Sequence, residues 1–201
     1  MPQEQVKKNK ERLFALDAGL RAEADKMLEE SGLGKIIRAE GYHPVGSYLM
    51  RTMTWRDLDF ERFDESPDWD EHWELGKKLA KLEWVWSAHA INGYADPRKP
   101  DNDGYYWGLR AVRPGEKDYW KLDLWTARRE EFERAAPKRP LWESLLNEDK
   151  RYEILVTKEA VCMLPEYRQS LLSVHIYEAV LEHGIRGLTE FWEWWKKNYG
   201  K

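Results

Sequence analysis

The sequence predicts an α+β fold: a mixed, largely antiparallel sheet of about five strands with flanking helices, followed by a C-terminal helical region. Three observations predict it. Leu13, Leu16, Leu20, Ala24 and Met27 step by three and four, the apolar stripe of one long helix. Between residues 42 and 126, five short segments read as strands, separated by turn signals that include Asp103-Gly104 and Pro114-Gly115. Beyond Pro137-Lys138-Arg139-Pro140 only helical segments follow.

In order along the chain, residues 3–30 read as one helix, and Ser31-Gly32 supplies its stop. Gly32-Leu33-Gly34-Lys35 is not a phosphate loop: Glu29 stands where the first Gly is required, and Ile36 where a Ser or Thr is. Ile36 and Ile37 lead toward a first strand near residues 42–45. The second strand, residues 57–63, alternates: Asp57, Asp59 and Glu61 on one face, Leu58 and Phe60 on the other. A helix follows, with Ser66 as N-cap, Pro67 at the first helical position and Asp68, Asp70 and Glu71 favourably placed in its first turn. That reading is preferred to a metal cluster of Asp68, Asp70, Glu71 and His72. The helix runs to about Leu82, with Leu75, Leu79 and Leu82 inward.

Residues 84–92 read as a strand in which His89 is a packed or solvated residue. Asp101-Asn102-Asp103-Gly104 looks like part of a calcium loop, but Lys99 stands at the first ligand position. Asp-Gly predicts a hairpin turn instead. Strands at 105–112 and 119–126 complete an antiparallel meander. The last puts Trp120, Leu122 and Leu124 on one face, Lys121 and Asp123 on the other. Residues 128–136 form a short charged helix. The proline pair then divides the chain into residues 1–136 and 137–201. Helices are expected at 141–147, 158–164, 170–183 and 189–198, with Gly184 ending the third and Thr189 capping the fourth. Phe191, Trp192 and Trp195 make an aromatic face for docking on another helix. His175 and His183 are surface or packing residues.

Residues 41–63 carry the most specific chemistry. Asp57 and Asp59 bring two carboxylates side by side, and a strand gains no packing from their repulsion. A divalent cation removes it, and hard oxygens suit Mg²⁺, which leaves positions for a substrate phosphate. Gly46-Ser47, with Ser47 ten residues before Asp57, offers a phosphate close-approaching backbone N–H groups and a hydroxyl.

Gly46-Ser47, this gap and Asp57-x-Asp59 on a strand resemble the signature of the DNA polymerase β-like nucleotidyltransferase superfamily. That family places a third carboxylate on a later strand, and Asp123 matches it. The resemblance covers residues 36–126. It implies a nucleotidyltransferase fold with a catalytic domain in residues 1–136. The activity implied is transfer of an NMP, AMP first among them, from an NTP such as ATP to a hydroxyl of a small-molecule or protein acceptor. Asp57, Asp59 and Asp123 would be the catalytic metal ligands for two Mg²⁺ ions. Gly46 and Ser47 would hold the β- and γ-phosphates, with Arg51 and Lys121 as further nucleotide contacts. Many members carry Gly where Arg51 stands, and a small residue or Asp where Arg56 stands, so the subfamily stays open. The alternative is a catalytically silent nucleotide-binding or protein-interaction module of the same fold, such as a toxin–antitoxin-like partner. A purely structural α+β domain would hold Asp123 away from Asp57 and Asp59.

Composition narrows the partners. The 201 residues carry a net charge of −4, without the electrostatic footprint of a protein that tracks long nucleic acid. The 12 Trp are expected mostly in core and edge packing. A single cysteine, Cys162, excludes an intramolecular disulfide and points to a reducing interior. No run approaches the length of a membrane span, and residues 1–14 lack a signal-peptide core. A cytoplasmic protein with no membrane association is expected. The helices after Pro140 are the expected place for acceptor recognition or homodimer contacts.

Overall fold

The computed structural model describes residues 3–97, 104–167 and 169–200. In chain order the elements are α1 (Gln3–Glu30), α2 (Leu33–Ala39), β1 (His43–Val45), α3 (Gly46–Leu49), β2 (Asp57–Phe63), α4 (Trp69–Ala80), β3 (Val85–Asn92), a 3-10 turn (Gly93–Ala95), β4 (Tyr105–Ala111), β5 (Trp120–Ala127), α5 (Arg129–Ala135), α6 (Arg139–Leu145), α7 (Glu148–Val161), α8 (Ser173–Leu181) and α9 (Gly187–Tyr199). The chain falls into two compact units. One holds residues 21–49 and 55–137 and contains the sheet. The other holds residues 1–20, 50–54 and 138–201 and is helical. No helix among the described residues is long and apolar enough to cross a membrane.

The sheet has the order β1-β2-β5-β4-β3. Three of its four pairings are antiparallel, and β2 with β5 is the parallel one. The expected meander of the last three strands is present. Alternation sorts the faces as the sequence predicts: Leu58, Phe60, Trp120, Leu122 and Leu124 are buried. Each such side chain contributes about 1.5–3 kcal/mol by leaving water. Glu61, two residues on from Asp59, is buried at 6% exposure. The turn expected at Asp101-Asn102-Asp103-Gly104 lies outside the described residues, apart from Gly104 itself.

α4 packs on β3 and β4. Its contact is set by Gly76, where an added Cβ would stand 1.9 Å from Trp107 Cε2. Only a residue without a side chain lets that indole lie against the helix. Trp107 Nε1 donates to the carbonyl of His72 at 2.8 Å. The His72 ring is fully buried among Trp69, Tyr105 and Trp107. Burial pushes its pKa down to about 4, so the neutral imidazole is the form that packs.

Several local expectations are corrected. Ile36 and Ile37 lie in α2 rather than in a lead toward a strand, with Leu33 and Ile37 buried one turn apart. Asp68, not Ser66, caps α4, its side chain accepting from the Glu71 N–H at 2.9 Å. α7 begins at Glu148, ten residues before the expected start, with Asn147 as N-cap. α9 follows Arg186 rather than a Thr189 cap.

In the helical unit, Leu13 packs with Tyr152 and Leu155, and Val6, Phe14, Leu16 and Val156 pack around them. The apolar stripe of α1 is interrupted by Asp17, which is fully buried. Its carboxylate accepts from Arg151 at 2.7 Å and from the Met53 N–H at 2.9 Å. Arg151 also donates to the Arg51 carbonyl at 2.6 Å, and the buried Lys158 ammonium donates to the Thr52 carbonyl at 2.9 Å. Residues 51–53 are thus pinned by their backbone. Arg51 itself has φ 58°, a left-handed conformation that costs a side-chain-bearing residue about 1–2 kcal/mol.

Candidate active site

β2 and β5 run side by side with Asp57 opposite Lys121 and Asp59 opposite Asp123. Opposed positions project to one face, so the face away from Leu58 and Leu122 collects all four side chains. Oxygens of Asp57, Asp59 and Asp123 lie within 4.8 Å of one another, and all three residues are half-buried. Among the described residues this is the only group of three or more acidic, His or Cys side chains that converges so closely.

Two of the acids are held by specific neighbours, and the third lies close against a glycine. Gly46, at the junction of β1 and α3, has φ 62°, and a Cβ there would stand 2.6 Å from Asp59 Oδ2. The residue must be Gly on both counts. The Trp55 indole N–H donates to Asp57 Oδ2 at 3.1 Å, and the Tyr106 hydroxyl donates to Asp123 Oδ1 at 2.7 Å. Burial, reinforced by the charge of Asp123, holds the Tyr106 pKa far above the usual phenol range, so it stays a donor. Lys121 Nζ bridges the strands, 3.2 Å from Asp57 Oδ1 and 2.5 Å from Asp123 Oδ2. Burial disfavours its charge, but Asp57, Asp123 and Asp59 outweigh that and raise its pKa. The side chains of Lys121, Asp57 and Asp123 are 23, 15 and 16% exposed, too little for water to screen these contacts as it does on a surface.

The donor set fits a divalent cation: three converging carboxylates, hard oxygens and partial access to solvent. Ser47 follows Gly46 in α3 and is half-buried. Arg51 belongs to the helical unit. Arg56 turns to Glu23 at 2.6 Å and Asp118 at 3.2 Å. Two residues of the site escaped the sequence reading. Tyr106 sits in β4, whose residues 105–109 are all buried, so alternation gives no face. Trp55 precedes β2 by two residues, and one indole among 12 carries no local signal.

No protein-family model matches the sequence, and no curated protein matches it. Solved structures do. A chain of the one described as "Structure of the non canonical Poly(A) polymerase complex GLD-2 - GLD-3" is similar over 98% of this chain, with a TM-score of 0.58 and 16% identity. The present chain spans 62% of that one's length, less than two thirds. A chain of "structure of GLD-2/RNP-8 complex" is similar over 97% of this chain and 71% of its own, with a TM-score of 0.51 and 14% identity. The fold is nucleotidyltransferase-like. Asp123 stands with Asp57 and Asp59, not away from them as a purely structural domain would hold it.

Proposed function

We propose that this chain is a metal-dependent nucleotidyltransferase that moves an NMP, AMP foremost, from an NTP to a hydroxyl of a small-molecule or protein acceptor. The observation that carries the reading is the convergence of Asp57, Asp59 and Asp123 on the neighbouring strands of a nucleotidyltransferase-like sheet. Two bound Mg²⁺ ions would supply positive charge at the entering and leaving oxygens of an in-line displacement at the α-phosphorus. Asp57 and Asp59 would hold those ions, with Trp55 fixing the first carboxylate and Gly46 leaving room for the second. Asp123 would act on the acceptor side, as a ligand or as the group that takes the hydroxyl proton. Tyr106 anchors its Oδ1 and thereby orients Oδ2. Gly46 and Ser47 would contact the β- and γ-phosphates, with Lys121 and Arg51 as further phosphate contacts. The helical residues 137–201 are proposed for acceptor recognition or homodimer contacts. A cytoplasmic setting accords with the single Cys162.

The test is calorimetric titration with a non-hydrolysable ATP analogue, with and without Mg²⁺, on wild type and the Asp57→Asn/Asp59→Asn double variant. Metal-dependent binding that the variant loses is the expected result. Silence of the wild type with ATP, GTP, CTP and UTP analogues would sink it. That outcome selects the second reading, a catalytically silent module that works through a protein partner, of the toxin–antitoxin kind. One observation favours this second reading: Lys121 already neutralises part of the acid cluster.

A further inference from the structure

We propose that Lys121 is an exchangeable cation of the site, whose ammonium shares the carboxylates with the incoming metal and passes to the nucleotide's phosphates once the metal takes them. The inference rests on the nucleotidyl-transfer reading and deepens it, because it makes metal and nucleotide binding interdependent.

The geometry divides the donors into two kinds. Asp57 has Oδ2 held by the Trp55 indole and Oδ1 facing Lys121. Asp123 has Oδ1 held by the Tyr106 hydroxyl and Oδ2 facing Lys121. In each carboxylate, one oxygen is fixed by a neutral donor on a rigid ring, and the other turns to an ammonium on a flexible four-carbon stem. A ring has two side-chain torsions with which to move aside; the lysine has four. The two oxygens that Lys121 holds come from different strands and converge on one point. A divalent cation seeks such convergent oxygens, and it cannot share both with Nζ at 3.2 and 2.5 Å. A displaced ammonium on a side chain that is only 23% exposed needs a new anion. The phosphates of a nucleotide supply one, and a compact ammonium with three donors suits them. Metal alone should therefore bind weakly, and metal with nucleotide strongly.

The experiment measures Mn²⁺ affinity by calorimetry on wild type, Lys121→Met and Arg110→Met, without nucleotide. Arg110 stands opposite Lys121 on β4, with its guanidinium over the Tyr119 ring. Its removal takes away the same charge from the same face. Lys121→Met should bind Mn²⁺ about tenfold tighter than wild type, as expected for losing a competitor held by two partly buried ion pairs, while Arg110→Met changes by less than about threefold. At saturating Mn²⁺, Lys121→Met should bind the ATP analogue about tenfold more weakly. Equal or weaker Mn²⁺ binding by Lys121→Met, or an equal gain in Arg110→Met, overturns the inference and leaves the nucleotidyl-transfer reading intact. Absence of Mn²⁺ binding in all three proteins overturns both. Lys121→Gln, read by the Mn²⁺-induced rise in Tm, replaces the Met variant if the latter does not fold. The same order, variant above wild type, is expected there, and the reverse order refutes the exchange.

Discussion

The sheet unit and the helical unit each bury a cluster of charge, and the two clusters are built on opposite plans. In the helical unit Asp17 is fully buried and matched by Arg151, and together with Lys158 it is spent on the backbone of residues 51–53. In the sheet unit three acids, each only partly exposed, converge around one lysine. A matched, sealed cluster fixes a segment of chain. An acid-rich one gathers like charges whose repulsion a bound cation would relieve. Exposure alone does not separate the two clusters, since the Arg151 side chain is 16% exposed and those of Asp57 and Asp123 are 15 and 16%; the balance of signs does.

Substitutions should expose the difference. The largest effect is expected in function: Asp57→Asn or Asp59→Asn should lower nucleotidyl transfer by orders of magnitude, while urea denaturation shows a change under about 1 kcal/mol. A variant with wild-type activity would remove the metal assignment. Asp17→Ala should do the reverse. It removes the fully buried acceptor of both Arg151 and the Met53 N–H and should cost about 3–5 kcal/mol in the same denaturation assay. A cost below about 1 kcal/mol would mean that the sealed cluster is not structural.

His72 is the third case, a titratable ring buried among aromatic neighbours. Its folded pKa of about 4 lies below the usual 6.5, so the unfolded chain binds the extra proton between those values. Stability attributable to the neutral ring is therefore full above pH 6.5 and is lost as pH falls toward 4, by about 3 kcal/mol. Denaturation midpoints of wild type and His72→Phe across that window should diverge by this amount. Parallel curves would refute the assignment. Gly46→Ala should give the smallest change, about 1–2 kcal/mol from the left-handed backbone. Mn²⁺ affinity should fall with it, because the new Cβ meets Asp59 Oδ2. Unaltered metal affinity would detach Gly46 from the site.

Much of the site was legible because alternation is a strong signal where a strand has one wet face. In β2 and β5 the period of two separated Asp57, Asp59, Lys121 and Asp123 from Leu58, Leu122 and Leu124. It could not show that these strands are neighbours, since a parallel pairing across 64 residues leaves no local trace. β4 buries both faces, so Tyr106 was invisible. Among the helices, α2 was missed because seven residues with a Gly at position two offer almost no period. α7 was found only in its last turn, because its buried side includes Thr157 and Lys158 beside the apolar residues. No pattern in residues 50–54 shows that five residues between two sheet-unit segments group with the helices.

The position of β5 has a consequence for the order in which the site comes into being. This last strand of the sequence is laid between β2 and β4. β3 and β4 can meet as soon as both have been synthesised, and so can β1 and β2, but the two halves have no common ladder until residues 120–127 arrive. Lys121 and Asp123 arrive on that same strand. The repulsion of a third carboxylate and the ammonium that relieves it are therefore delivered together, in the step that closes the sheet.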